Sequence, residues 1–172
     1  MTVSGIRTAL WGLRATESAP AGPGRVTAAA TKLVVAALLA WSGYIHYDLY
    51  ADHGYRHIHA IGPAFLVQAG GSFAVAALLV VSIVVPGSFL LSLLAAGLSA
   101  GALVGFVLSR TSGVAGFEEH GFTPAPEAAI SVAVEISVLI VLALVVAVWA
   151  RGASRRRDRT ARPVEDPAAR AD

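Results

Sequence analysis

The chain lacks cysteine and, over most of its length, it lacks charge. Without cysteine there is no disulfide, no thiolate metal site, no cysteine nucleophile and no cysteine-bound iron–sulfur cluster. Only 14% of the 172 residues are charged, whereas a soluble domain carries about a quarter. The charges that exist are concentrated after residue 150. The nearly charge-free middle of the chain therefore excludes a soluble globular domain.

Long apolar runs fill this middle part, and 56% of all residues are hydrophobic. A helix of about 20 apolar residues crosses a hydrocarbon layer of about 30 Å. The sequence predicts an all-α fold, a four-helix transmembrane bundle with short loops and disordered tails. Pro86-Gly87-Ser88 predicts a tight turn and an antiparallel hairpin of spans two and three. The predicted spans are residues 26–47, 63–85, 89–108 and 127–150, between an N-terminal tail, 1–25, and an arginine-rich tail, 151–172.

The basic residues are distributed unequally between the two sides of these spans. Ten lie in the two tails, which an even number of spans places on the same side, and two lie in the loops. The excess of basic residues marks the cytoplasmic side. Both termini are therefore predicted to be cytoplasmic in a bacterial plasma membrane. The two sets are Arg7, Arg14, Arg25, Arg151, Arg155, Arg156, Arg157, Arg159, Arg162 and Arg170 in the tails, and Arg56 and Arg110 in the loops.

Hydrogen-bonding side chains fall in the outer half of three predicted spans. Glu135 lies eight residues into the fourth span, Gln68 near the start of the second and His46 in the last turn of the first. Ionisable groups inside a membrane are costly unless they are paired, so each indicates a site. We predict an intramembrane polar cluster of Glu135 and Gln68, facing the bundle interior, with His46 or Arg110 above it.

The first loop concentrates histidine, with four of the five histidines between residues 46 and 59. Imidazole is a ligand for Zn²⁺ or Cu²⁺, and His53, His57 and His59 are candidate metal ligands. Their spacing matches no metalloenzyme motif. The alternative is a hydrogen-bonded cap of histidines, tyrosines and acids over the bundle. A haem site would need axial histidines on facing helices, and only His46 lies near a span.

The third span contains glycines at four-residue spacing, Gly97, Gly101 and Gly105. Such residues share one helix face and allow another helix to approach closely. This pattern predicts helix packing, either against a sister helix within the chain, which we favour, or against a second copy.

No catalytic motif is present: the sequence contains neither a phosphate-binding glycine loop nor Gly-x-Ser-x-Gly, and it specifies no cofactor.

One part of the chain resembles a known group of proteins. In its pattern of a His near the end of the first span, a Gly-Tyr-Arg loop and a second span opened by Ile-Gly-Pro, a Phe and a Gln, the chain is similar to small uncharacterised four-span membrane proteins of actinobacteria. That resemblance implies the topology but no activity. The residues that carry it are His46, Gly54-Tyr55-Arg56, Ile61-Gly62-Pro63, Phe65 and Gln68.

Three functions remain open. The first is a non-enzymatic accessory or structural component, partnered by the lipid bilayer and by a larger membrane complex or a second copy. The second is a small redox, quinone or proton- or ion-handling protein whose outward-facing site contains His46, Gln68 and Glu135. The third is an extracytoplasmic metal-binding module. The net charge of +2 with basic residues beside the spans does not indicate a nucleic-acid partner.

The predicted topology is testable by cysteine labelling, because the chain has no cysteine of its own. In intact cells, a membrane-impermeant maleimide should react with Ser112→Cys and leave Asp172→Cys unlabelled until the cells are opened. Labelling of both positions from the same side would contradict the topology.

Overall fold

The computed structural model describes residues 23–84 and 89–161 and confirms an all-helical fold in that part of the chain. It contains α1 (Pro23–Asp52), a short 3₁₀ helix (Tyr55–His57), α2 (Ile61–Val81), α3 (Phe89–Thr111) and α4 (Glu127–Ala161). Each of α1 to α4 is long and apolar enough to cross a membrane. Their exposed surface carries large apolar side chains, which suit contact with lipid. The chain is therefore a multi-pass membrane protein.

The helix bounds differ from the predicted spans most at three ends, one of which is the end of α2 at Val81, before the predicted residue 85. α1 continues past residue 47 to Asp52, and α4 continues past residue 150 to Ala161. Disorder was predicted from residue 151, and this is wrong for residues 151–161, where the helical hydrogen bonding simply continues. The first 22 residues, the last 11 and the turn at Pro86-Gly87-Ser88 lie outside the described residues.

The four helices pack in a ring, in which α1 and α3 each contact both α2 and α4. α1 and α3 end, and α2 and α4 begin, at the end that carries the loops 53–60 and 112–126. We call this the loop end and the opposite one the tail end. Toward the tail end the interior is an apolar cluster to which every helix contributes. We call it the apolar plug: Val35, Ala36, Leu39, Val75, Ala76, Leu79, Ala95 and Val138.

Local chemistry fixes the helix ends at the loop end. Gly113, at φ 73°, adopts the left-handed conformation that commonly terminates helices, and its N–H donates to the carbonyl of Leu108 at 2.8 Å. Pro63 lies in the first turn of α2, where its missing N–H breaks no helical hydrogen bond. α4 begins at Glu127, whose carboxylate is favourable beside a helix N-terminus.

The predicted packing of the α3 glycines within the chain is wrong. A Cβ added to Gly97, Gly101 or Gly105 would meet no heavy atom within 4 Å, and Gly97 and Gly101 are exposed. Four-residue spacing places these glycines on one face of α3, but no other helix packs closely against them. A single added Cβ, as in Gly101→Ala, therefore has no neighbour to displace.

Close packing involves another glycine, Gly62 in the first turn of α2. A Cβ at this position would lie 2.9 Å from the carbonyl oxygens of both Tyr55 and Arg56. Backbone atoms do not yield as side-chain ends do, so the 3₁₀ helix is seated on α2 only because residue 62 lacks a side chain.

We therefore expect Gly62→Ala to destabilise the protein by about 1–3 kcal/mol through overpacking. Gly70→Ala, on the same helix with nothing within 4 Å of its added Cβ, is the matched control and should be neutral or slightly stabilising, because alanine favours helix. Unfolding of the two variants in detergent checks this. Equal stabilities would contradict the close packing of the 3₁₀ helix against α2 at Gly62.

Candidate functional site

Glu135 lies inside the bundle, as predicted, with only 1% of its surface exposed. Its Oε1 accepts a hydrogen bond from the hydroxyl of Ser42 on α1. Its Oε2 has no hydrogen-bond partner among the described residues. The carboxyl group is thus held on one side by a neutral donor and is removed from lipid on every side.

His46 lies one helical turn above Ser42, toward the loop end, and is also buried. Its Nδ1 lies 2.9 Å from the Ser42 carbonyl oxygen. Because a carbonyl oxygen only accepts, Nδ1 carries the hydrogen and Nε2 is the nitrogen that can gain or lose a second one. His46 also interacts electrostatically with Glu135. Ser42 therefore connects the two ionisable groups, through its carbonyl to His46 and through its hydroxyl to Glu135.

A cavity of about 230 Å³ lies directly above these residues. It extends from His46, Gln68 and Ser131 to the residues of both loops. One water occupies about 30 Å³ of the liquid, so the cavity has room for several. Gln68 is fixed in its wall, because its side-chain amide donates to the carbonyl of Leu98 on α3 at 3.3 Å. Gly101 and Gly105 of α3 also line this cavity.

The loop end of the cavity is lined by a three-residue group of Tyr55, Arg110 and Glu119, which we call the loop latch. Glu119 forms an ion pair with Arg110, between Nη2 and Oε2 at 2.9 Å. Its other oxygen accepts a hydrogen bond from the hydroxyl of Tyr55. The latch joins the first loop to the second and to the last turn of α3. Arg110 also donates to the backbone carbonyls of Gly121 and Thr123.

Aromatic rings connect the latch to His46. The Tyr55 ring stacks on Phe65 with a centroid distance of 4.9 Å. The Phe65 ring in turn meets the His46 imidazole edge to face at 5.4 Å. Position and packing of the imidazole thus depend on the loop that Tyr55 holds in place.

The predicted polar cluster is divided among three places. Glu135 bonds to Ser42 instead of Gln68, while Gln68 and His46 share the wall of the cavity. Arg110 belongs to the latch at the opposite end of that cavity. The prediction missed Ser42, Tyr55 and Glu119. Serines inside spans usually bond to their own helix, so no sequence signal distinguished Ser42.

The predicted metal ligands do not come together. His53, His57 and His59 are exposed, and the described residues contain no group of three or more His, Cys, Asp or Glu side chains that could hold a metal ion. His53 lies 3.4 Å from the Asp48 carboxylate. His57 Nε2 accepts a hydrogen bond from Arg56 at 3.0 Å, which occupies the lone pair that a metal would need. The loop histidines thus provide no metal site.

The latch leads us to expect that the stability of the protein depends on pH above neutrality. Burial raises the pKa of the Tyr55 hydroxyl above its ordinary value of 10.0, and the hydrogen bond and charge of Glu119 raise it further, against a smaller lowering by Arg110. A raised folded-state pKa stabilises the fold fully below the unfolded pKa of about 10, and this contribution is lost as the pH rises toward the folded value.

We expect the thermal midpoint in detergent to fall between about pH 9 and about pH 11 by a larger amount in the unsubstituted protein than in Tyr55→Phe. At neutral pH the variant should lose about 1 kcal/mol with its hydrogen bond. The control is Tyr47→Phe, since Tyr47 is exposed, and it should follow the unsubstituted protein. A parallel alkaline decline in all three proteins would show that Tyr55 does not titrate with unfolding.

Comparison of the chain with protein-family models, with curated proteins and with solved structures finds no match.

Proposed function

We propose that this protein is a proton-handling protein of a bacterial plasma membrane, with both termini cytoplasmic, which exchanges protons between the outer side and the buried Glu135 carboxyl group. The observation that carries the proposal is the position of Glu135. It is enclosed in the bundle, yet only one turn below a cavity that reaches the loops. A buried ionisable group inside a membrane is most often part of a relay or transport site.

The side chains between the cavity and Glu135 suit proton transfer. His46 lines the cavity, and imidazole is the commonest side chain that takes up and releases protons near neutral pH. The Ser42 hydroxyl, which bonds Glu135, both donates and accepts hydrogen bonds. A proton entering from the cavity therefore meets His46 first and the pair of Ser42 and Glu135 next.

The features of the bundle support access of protons to Glu135 from the loop end only. Below Glu135, toward the tail end, the apolar plug fills the bundle with aliphatic side chains, among which Leu39, Ala95 and Val138 are completely buried. Such a plug offers no group for a proton to bind. The loop end holds the cavity and the latch, and the predicted topology places that end outside the cell.

A second candidate function is an accessory component of a larger membrane assembly. It is favoured by the exposed glycines Gly97 and Gly101 of α3, at which an added Cβ would meet no heavy atom within 4 Å. Small residues on an exposed face of a transmembrane helix suit close contact with another helix. In such a component Glu135 and Ser42 would serve packing alone, and the carboxyl group would not respond to pH.

Infrared difference spectroscopy of the full-length protein in lipid nanodiscs tests the proposal. Acidification of the medium should produce a protonated-carboxyl band from a group shielded from water. Glu135→Gln, which keeps the shape of the side chain, should remove this band. Glu127→Gln, at the start of the same helix, should retain it.

Substitution of His46 should slow the protonation of Glu135. In His46→Phe the band should still reach its full amplitude but rise more slowly after a pH jump, because the intermediate proton acceptor is missing. A shielded carboxyl band that persists in Glu135→Gln would refute the proposal. A Glu135 band that is constant with pH, together with lower stability of Glu135→Gln, would favour the accessory role instead.

A further inference from the structure

Four buried polar side chains, one from each helix, form a single layer across the bundle. Ser42, Ser72 and Ser99 are 0% exposed, and Glu135 is 1% exposed. We call these four residues the polar layer. Each lies three or four residues, or one helical turn, from a member of the apolar plug on the same helix, and always toward the loop end. The plug members are Leu39, Val75, Ala95 and Val138.

Contacts between neighbouring helices show that the four residues lie at one level. Ser42 bonds directly to Glu135, so these residues of α1 and α4 lie at the same height in the bundle. A Cβ on Gly43 would lie 3.2 Å from the Ala69 carbonyl oxygen and from the Phe73 ring, so Ser42 of α1 and Ser72 of α2 lie at similar heights. A Cβ on Gly71 would lie 3.0 Å from Leu98, so Ser72 of α2 and Ser99 of α3 also lie at similar heights.

Three oxygen atoms of this layer have no partner among the described residues: Glu135 Oε2, Ser72 Oγ and Ser99 Oγ. Buried polar atoms are nearly always hydrogen-bonded, and hydroxyl groups inside membrane helices ordinarily bond to their own backbone. Ser137 on α4 does so, through the Ala133 carbonyl at 2.7 Å. Three unpaired oxygens in one layer, all excluded from lipid, indicate a ligand that binds them together.

We propose that the polar layer binds one alkali cation of the size of Na⁺, held by the Glu135 carboxylate and the hydroxyls of Ser72 and Ser99. This inference deepens the proposed function and rests on it, since proton and cation would compete for the same carboxylate. The ligand atoms are all oxygens, which hard cations prefer. The single carboxylate balances a single positive charge, whereas a divalent ion would leave a net buried charge.

The surrounding charges permit this binding. His46 on α1 is the ionisable side chain nearest the layer on the cavity side, and it interacts electrostatically with Glu135. α2 has no ionisable residue, and the sole one of α3, Arg110, is neutralised by Glu119 at the far end of the cavity. No unpaired charge of α2 or α3 therefore opposes a cation beside the Glu135 carboxylate.

The test compares Na⁺ with choline on the full-length protein in nanodiscs. At pH above neutrality NaCl, but not choline chloride at equal ionic strength, should raise the thermal midpoint. It should also shift the appearance of the protonated Glu135 infrared band to lower pH. Ser72→Ala and Ser99→Ala should each weaken the Na⁺ dependence about tenfold, as expected for the loss of one ligand to a charged group.

Ser137→Ala is the matched control, because it removes a hydroxyl that is already bonded to its own helix, and it should retain the full Na⁺ effect. A Glu135 band that titrates identically in Na⁺ and choline would overturn the cation site while leaving proton exchange standing. A Glu135 carboxyl that does not titrate in choline buffer would overturn both.

Discussion

A carboxyl group placed in the middle of a membrane-spanning helix is costly unless neighbouring polar groups surround it, and much of the bundle is arranged around this requirement at Glu135. α4 must turn this residue inward, and α1 must present Ser42 at the same level to donate its hydroxyl. The serines of α2 and α3, Ser72 and Ser99, are fully buried at the same level. The apolar plug below and the cavity above then give the layer two different environments.

The two loops are secondary to this core, yet they define the space above it. Tyr55 and Arg110 both bind Glu119, so the first loop, the second loop and α3 hold one another in position. Phe65 contacts both the Tyr55 ring and the imidazole of His46, so it packs between the loop and that imidazole. Ring contacts thus connect Tyr55 at the loop end of the cavity with His46 at its other end.

The sequence predicted the fold well. Unpaired backbone groups in lipid cost free energy, and a helix is the simplest structure in which a long apolar run can cross the membrane with those groups paired. It also predicted that Glu135 faces inward. The partners of the polar residues could not be predicted, since Ser42 and Glu135 are separated by 93 positions and no local pattern specifies which helix faces which. Gly97, Gly101 and Gly105 illustrate the same limit. Their period fixes a common face, but only the packing order of the helices decides what that face meets. Likewise, histidines clustered in sequence at residues 53–59 point to separate partners once the loop folds.

The uninterrupted course of α4 has a consequence for how its two ends are related. The helix has 35 residues, so at about 1.5 Å per residue it measures roughly 52 Å, well beyond a hydrocarbon layer of about 30 Å. It carries Glu135 near one end and Arg151 and Arg155 near the other, without a proline at which it would kink. Because the helix is continuous, any rotation of α4 about its axis would turn Glu135 and these arginines together.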